Sequence, residues 1–484
     1  MTNRFFHKVF SLSGIFLSLL LVGCSTNPVT GKQDFVLMSE KQELELGRQY
    51  HKEVLKQYKI YDNPKLQAYV EEIGERLAAQ SHRKDLVFHF YLLDTPQVNA
   101  FATPGGYVYI TRGIMAYMQE EAHLAGVIGH EIGHVTARHG VQQQAQSQVA
   151  GVLGTIIAIG TGSSGLGQVS NLLSGAVVRG YGRADELESD RLGAEYLAKT
   201  NYDPQKMLDV VGILKNQELA DKERAAAEGR EPRAYHGVFA THPRNDTRLQ
   251  GVIRAADKFK DANITRHDDG RFLELTNGMT YGSGESQGVM RGNAFLHKEL
   301  DLYLTFPKGW IIDNQPTSLV ARSPKGEQQI IMQMRDLNKR QSAQDFLANN
   351  FSGFTDGRSV TTHEEQAYAG TATVKTNSGN EKMQVAAVYR GKQAFMVYSR
   401  GKTALPETEF FTAVKSLRRL KEGEKQQAGS TRIKLTKARK GDTFAELAKQ
   451  GINSGPYAEQ ELRLLNGMFP TGEPQAGQLI KILE

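Results

Sequence analysis

GVIGHEIGHVTARHG, Gly126 to Gly140, places three histidines and a glutamate within one short stretch. His130 and His134 are four apart, which on a helix puts both imidazoles on one face, one turn from each other. Two ring nitrogens so placed can reach a single zinc ion at about 2.1 Å. Glu131 stands about 100° round the helix, off the metal but within reach of the water that such a site activates, as a general base. Leu124, Val127, Ile128, Ile132 and Val135 form an apolar face, so this helix is expected to be at least half buried. Gly129 and Gly133 cost helix stability and are expected to leave room for metal and substrate.

A zinc site of this kind needs a third protein ligand. The metzincin spacing would put glycine and histidine at positions 137 and 140, which are Ala137 and Gly140. His139 is one residue early and, on a continued helix, points elsewhere, so it is expected to be structural. The other source is a glutamate on a second helix. The stretch ELESD supplies Glu186 and Asp190 at i and i+4, on one face. Glu186 would complete the ligand set for one Zn2+ per chain. Asp190 would hold the distal nitrogen of a ligand histidine, and Glu188 would face away.

Working outward, Ser39 to about Ala79 is helical in pattern. Leu86–Asp94 and Gly106–Thr111 read as strands around a Pro-Gly-Gly turn in NAFATPGG. One long helical pattern runs from Met115 to about Ala145. Val149–Gly180 is apolar but broken by glycines after about twelve residues, against a membrane span. A packed helical hairpin and a mobile lid both remain open for it. A polar, Gly-rich linker covers 277–294. A strand-rich unit follows, with LDLYLTFP, QQIIMQM, TATVKT, MQVAAVYR and QAFMVYSR closed by the helical ETEFFTAVKSLRRL. After a second linker the tail reads strand, helix, helix, strand.

The N-terminus has two basic residues, Arg4 and Lys8, before an apolar run from Val9 to Gly23 that fits a secretion signal. It ends in LVGC, which resembles the lipobox of bacterial lipoproteins. Cys24, the sole cysteine, is the expected lipidation site, and Ser25 after it implies outer-membrane sorting with the body in the periplasm. Residues 25–39 read as a polar tether. One cysteine excludes an intrachain disulfide. Net charge is +6 with both signs interspersed, which gives no argument for nucleic acid. Composition, with 39% hydrophobic and 23% charged residues, is ordinary for a globular protein long enough for several cores.

HExxH with a distant ExxxD, preceded by NAFATPGG and followed by THP, resembles the gluzincin metallopeptidases of the CAAX-prenyl-protease and HtpX type, in their periplasmic lipoprotein branch. The resemblance covers about residues 24–275. It implies zinc on His130, His134 and Glu186, catalysis by Glu131 and Asp190, His242 of THP as an oxyanion or latency switch, and Arg183 of GYGRADE bracing the site. An extended substrate would add to the sheet edge near Asn99, Phe101, Gly105 and Gly106. The expected substrates are unfolded or misassembled envelope proteins. A largely latent protease assisting outer-membrane protein assembly, and a peptidoglycan-binding scaffold, are the rival readings. FPKGW, with Trp310, resembles the α+β modules of the PsbP and Mog1 type. The tail, with Gly-Asp-Thr, Leu-Asn-Gly and Gly-Gln-Leu-Ile in order, resembles LysM, which binds peptidoglycan glycan.

The expected organisation is therefore multidomain: signal peptide 1–23, tether 24–38, a mainly α-helical zincin-type protease domain with a small β-sheet at 39–276, linker 277–294, a PsbP/Mog1-like α+β module at 295–421, linker 422–430, and a βααβ LysM-like domain at 431–484.

Overall fold

The structure is a computed structural model that describes residues 24–31, 33–35, 38–145, 181–228, 232, 246–259, 263–315, 318–337, 340–363, 366–376, 379–451 and 456–484. The chain divides into two compact units. The first comprises residues 1–217, 234–279 and 433–482; the second comprises 218–233, 280–432 and 483–484.

In the first unit, Cys24–Thr26 (β1) pairs antiparallel with Gln33–Phe35 (β2). Glu40–Gln57 (α1) starts at a capping box in which the Ser39 and Gln42 side chains each accept from the other's backbone. Pro64–Ala78 (α2) has an Asn63 cap and proline in its first turn, where no hydrogen bond is lost. Its apolar stripe, Leu66, Tyr69, Val70, Ile73 and Leu77, is buried.

His89–Leu93 (β3), Ala100–Thr103 (β4) and Tyr107–Thr111 (β5) form a sheet in the order β3-β5-β4. β3 runs parallel and β4 antiparallel to β5. β4 occupies a stretch whose pattern reads as a turn. Only its end turns, where Gly105 and Gly106 take φ of +80° and +91°.

The long helical pattern is broken. Arg112–Tyr117 (α3) is short and fully buried. Glu121–Thr136 (α4) is the central helix, and its polar residues His123, His130, Glu131 and His134 are buried with its apolar ones. Glu121 in its first turn accepts hydrogen bonds from Tyr69 (2.6 Å), Arg76 (3.2 Å) and Tyr202. That charge complements the positive end of the helix dipole. α4 stops at Thr136. Arg138 takes the left-handed conformation (φ 60°), and residues 139–145 turn helical again in a new direction.

Arg183–Lys199 (α5) lies along α4. Lys206–Glu228 (α6), Asp246–Asp257 (α7) and Arg271–Thr276 (α8) follow. A Cβ on Gly133 would come within 3.1 Å of the Ser189 Cα and carbonyl oxygen; one on Gly129 would come within 3.4 Å of Gly193. The α4 glycines therefore make room for α5, not for metal and substrate as their position had implied.

Residues 433–482 belong to this first unit. They contain most of Thr431–Lys437 (β17), then Phe444–Gln450 (α12), Ala458–Leu465 (α13) and most of Leu479–Leu483 (β18). Strand, helix, helix, strand is the order expected for the tail. The segment is joined to the end of α3 and the turn before α4: Tyr117 donates to Glu461 (2.8 Å), Gln119 to the Leu465 carbonyl (2.8 Å), and the buried Lys481 ammonium to the carbonyls of Ala116 (2.8 Å) and Met118.

In the second unit, Thr280–Tyr281 (β6) and Val289–Arg291 (β7) stand within the expected 277–294 linker. β7 joins Ala294–His297 (β8) and Leu302–Thr305 (β9) in a small sheet. The main sheet is antiparallel, built from Ile311–Gln315 (β10), Ser318–Arg322 (β11), Gln328–Asp336 (β12), Thr355–Thr361 (β13), Gln366–Thr376 (β14), Gly379–Arg390 (β15) and Gln393–Gly401 (β16), in the order β10-β11-β12-β16-β15-β14-β13. Alternation sends Ala386, Val388, Phe395 and Val397 to one face, packed with Phe410 and Val414 of Glu407–Ser416 (α10). Val385, Ala387 and Met396 go to the other, packed with Phe346 and Leu347 of Ala343–Asn350 (α9). Trp310 packs partly against the first of these clusters. Glu422–Gln427 (α11) is helical where a linker is expected.

Among the described residues, no helix is long and apolar enough to cross a membrane.

Candidate metal centre

α4 and α5 bring His130, His134 and Glu186 together, all buried. His130 Nε2 and His134 Nε2 are 3.1 Å apart; Glu186 carboxylate oxygens lie 3.6 Å from the first and 3.4 Å from the second. Four ligands at zinc–nitrogen bond lengths in a tetrahedron have edges of about 3.4 Å. The triangle of donors therefore has the size a single zinc ion requires, and its chemistry, two imidazoles and one carboxylate, suits that ion. Burial holds His134 well below its usual pKa, which keeps the ring neutral as a ligand must be.

The remaining residues of the site divide by their helix faces. Asp190 Oδ1 sits 2.9 Å from His130 Nδ1. Glu131 is buried on α4 between the two histidines. Glu188, turned away from the donor triangle, meets His139 Nε2 at 3.3 Å. That hydrogen bond lowers the Glu188 carboxyl pKa. Arg183 opens α5 and is exposed. β4 is an outer strand of its sheet; Asn99 precedes it, buried, and Phe101 stacks on Tyr109 at 4.7 Å. His242 and the Gly-broken stretch 149–180 lie outside the described residues, as do 1–23 of the expected signal. Cys24 opens β1.

Two further neighbours join these residues. Tyr181, just before α5, stacks on His134 with centroids 4.0 Å apart and planes at 18°. Burial and the nearby Glu131 and Glu186 raise its phenol pKa, so it stays protonated. Its sequence signal was an aromatic beside the singled-out Arg183. The second is Glu43 of α1, buried between Arg83 (2.6 Å) and Arg138 (2.9 Å). Arg138 also donates to the Met38 carbonyl at 3.2 Å. These contacts hold the left-handed turn that ends the α4 segment.

Glu120, His123 and Asp209 form another group of metal-type residues. Lys206 already places its ammonium 2.6 Å from Glu120 and 3.3 Å from Asp209, so a cation occupies that position.

The family model described as Peptidase family M48 matches residues 64–256. The chain is 30% identical over 268 residues to the beta-barrel assembly-enhancing protease of Yersinia pestis, covering 54% of this chain and 53% of that one. It is 27% identical over 271 residues to the protein of that name in Escherichia coli (strain K12), with the same coverage. It is 27% identical over 229 residues to the mitochondrial metalloendopeptidase OMA1 of Schizosaccharomyces pombe, covering 46% of this chain and 64% of that one. The chain spans about half the length of the beta-barrel assembly-enhancing proteases it matches. The M48 family is zinc-dependent, and its matched span contains every described residue of the donor triangle. Residues 64–256 thus resemble the metallopeptidases of the M48 family.

Proposed function

We propose that the chain is a zinc endopeptidase of the bacterial cell envelope that hydrolyses peptide bonds in unfolded or misassembled envelope proteins. The observation that carries this reading is the buried convergence of His130, His134 and Glu186 with Glu131 beside them. Zinc held there supplies Lewis-acid polarisation of the scissile carbonyl and a water of lowered pKa. Glu131 accepts the proton of the attacking water on its carboxylate and returns it to the leaving amine. Asp190 keeps His130 Nδ1 protonated, which leaves Nε2 free to ligate. Tyr181 fixes the plane of the His134 ring. A substrate strand pairs with the outer edge of β4 near Asn99, Phe101, Gly105 and Gly106, which accepts varied sequences because the backbone is what pairs. Cys24 carries the lipid anchor that holds the body at the outer membrane.

The test is zinc content and casein cleavage for the wild type and Glu131→Gln. The expected result is zinc retained and cleavage lost; cleavage that continues unchanged would overturn the role of Glu131. The name that two of the relatives share, beta-barrel assembly-enhancing protease, favours a second reading: a largely latent protease that assists outer-membrane assembly, with His242 as its latency switch. His242→Ala should then raise cleavage, and unchanged cleavage removes that switch. The LysM-like tail makes peptidoglycan a partner of either form, to be checked by co-sedimentation.

A further inference from the structure

Spacing alone sets His139 aside: on a continued helix it would point away from the metal. The helix does not continue. It stops at Thr136, and Arg138 reverses the chain at φ 60°. A non-glycine residue in that conformation is strained and persists when its surroundings impose it. Here the Glu43 carboxylate and the Met38 carbonyl bind the Arg138 guanidinium. The result is that His139 folds back, 2% exposed, with Nδ1 at 2.9 Å from Nδ1 of His134.

Hydrogen-bond logic gives this contact a direction. For His134 to ligate zinc through Nε2, its proton must sit on Nδ1. His134 Nδ1–H then donates to His139 Nδ1, which must be bare. His139 therefore carries its proton on Nε2, and Nε2 faces Glu188 Oε2 at 3.3 Å and Asp185 Oδ1 at 3.9 Å. Both neighbours are acceptors, so this chain of donors and acceptors closes without conflict. Ser189 Oγ, 3.4 Å from His139 Nδ1, adds a weaker contact. Tyr181 covers the face of the His134 ring.

We propose that His139 is a positioning residue that holds His134 in its zinc-ligating tautomer and orientation, through the chain His134–His139–Glu188. It does for His134 what Asp190 does for His130, with an imidazole inserted before the carboxylate. The inference rests on the reading above that His130, His134 and Glu186 bind zinc.

The test compares wild type, His139→Phe, His139→Gln and Glu188→Ala. Zinc affinity is measured by chelator competition, melting temperature on the metal-free proteins, and the His134 tautomer by nitrogen NMR of the metal-free state. Phenylalanine fills the space but cannot accept a proton, so zinc should bind about 10–100-fold more weakly. Glutamine can accept at Oε1, so it should restore binding to within a few-fold of wild type. Glu188→Ala, at a half-buried position, should weaken binding while the fold stands, and covers the case in which His139→Phe does not fold. His134 should be the Nδ1–H tautomer in wild type and His139→Gln and mixed in His139→Phe. A folded His139→Phe with wild-type zinc affinity overturns the proposal, as does a Glu188→Ala with unchanged affinity where His139→Phe does not fold. A wild type that binds no zinc, or a His134→Ala that binds it as wild type does, overturns the underlying reading instead.

Discussion

Asp190 Oδ1 lies 2.9 Å from Nδ1 of His130, with both side chains buried. The carboxylate comes from α5 and the imidazole from α4, so this contact also joins the two helices that share the donor triangle. Asp190→Asn keeps the shape and removes the charge. Zinc should then bind about 10–100-fold more weakly by chelator competition, with the helical circular dichroism unchanged.

Glu43 has 1% side-chain exposure and lies between two arginines that are each 8% exposed. Removing the anion leaves two buried cations sharing a neutral amide, with only the exposed Glu40, 3.2 Å from Arg83, as a remaining carboxylate. Glu43→Gln should cost about 3–5 kcal/mol in a urea titration. Because Glu43 also restrains Arg138, zinc affinity should fall in the same variant.

Gly133→Ala gains roughly 1 kcal/mol of helix propensity, yet its methyl would press on the backbone of Ser189 at 3.1 Å. Prising α5 away lengthens the His134–Glu186 edge. Helix content should hold or rise while zinc affinity drops about tenfold; a variant that binds zinc as wild type does would show that α5 yields without moving Glu186.

Burial lowers the Lys481 pKa from 10.5 to about 7. Between those values the unfolded chain binds the proton and the folded one does not. Stability should therefore rise with pH from about 7 to 10, by at most about 1.4 kcal/mol per unit, and level off below 7, where both states are protonated. Lys481→Met should lose that slope in parallel urea titrations across the range.

The donor triangle was legible because its members sit at helical spacing on two amphipathic segments, and such spacing survives folding. His130, His134, Glu186 and Asp190 meet as i, i+4 logic places them. The direction of His139 escapes the same logic, which assumes an unbroken helix where the helix stops at Thr136. Ala137 and Arg138 carry no stop signal, and the turn is imposed by Glu43, 95 residues away. Tyr181 and the packing of Gly129 and Gly133 against α5 are likewise tertiary facts. β4 was read as a turn because the Pro-Gly-Gly that ends it dominates the local pattern. In the second unit the expected strand patterns fall on β9, β12 and β14 to β16, whereas β6, β7, β8, β10, β11 and β13 lie outside them. β13 is exposed at six of its seven positions, so no buried face marks it.

The Lys481 ammonium, the Gln119 amide and the Tyr117 hydroxyl tie the chain's last strand and helix to residues just ahead of the metal-bearing helix. The stretch that matches the M48 family model, 64–256, is therefore smaller than the compact unit that holds the donor triangle. A shortened protein ending at residue 256 would leave the carbonyls of Ala116 and Met118 without the Lys481 donor, three to five residues before α4 begins. In this chain the family-matched span and the compact unit have different outlines.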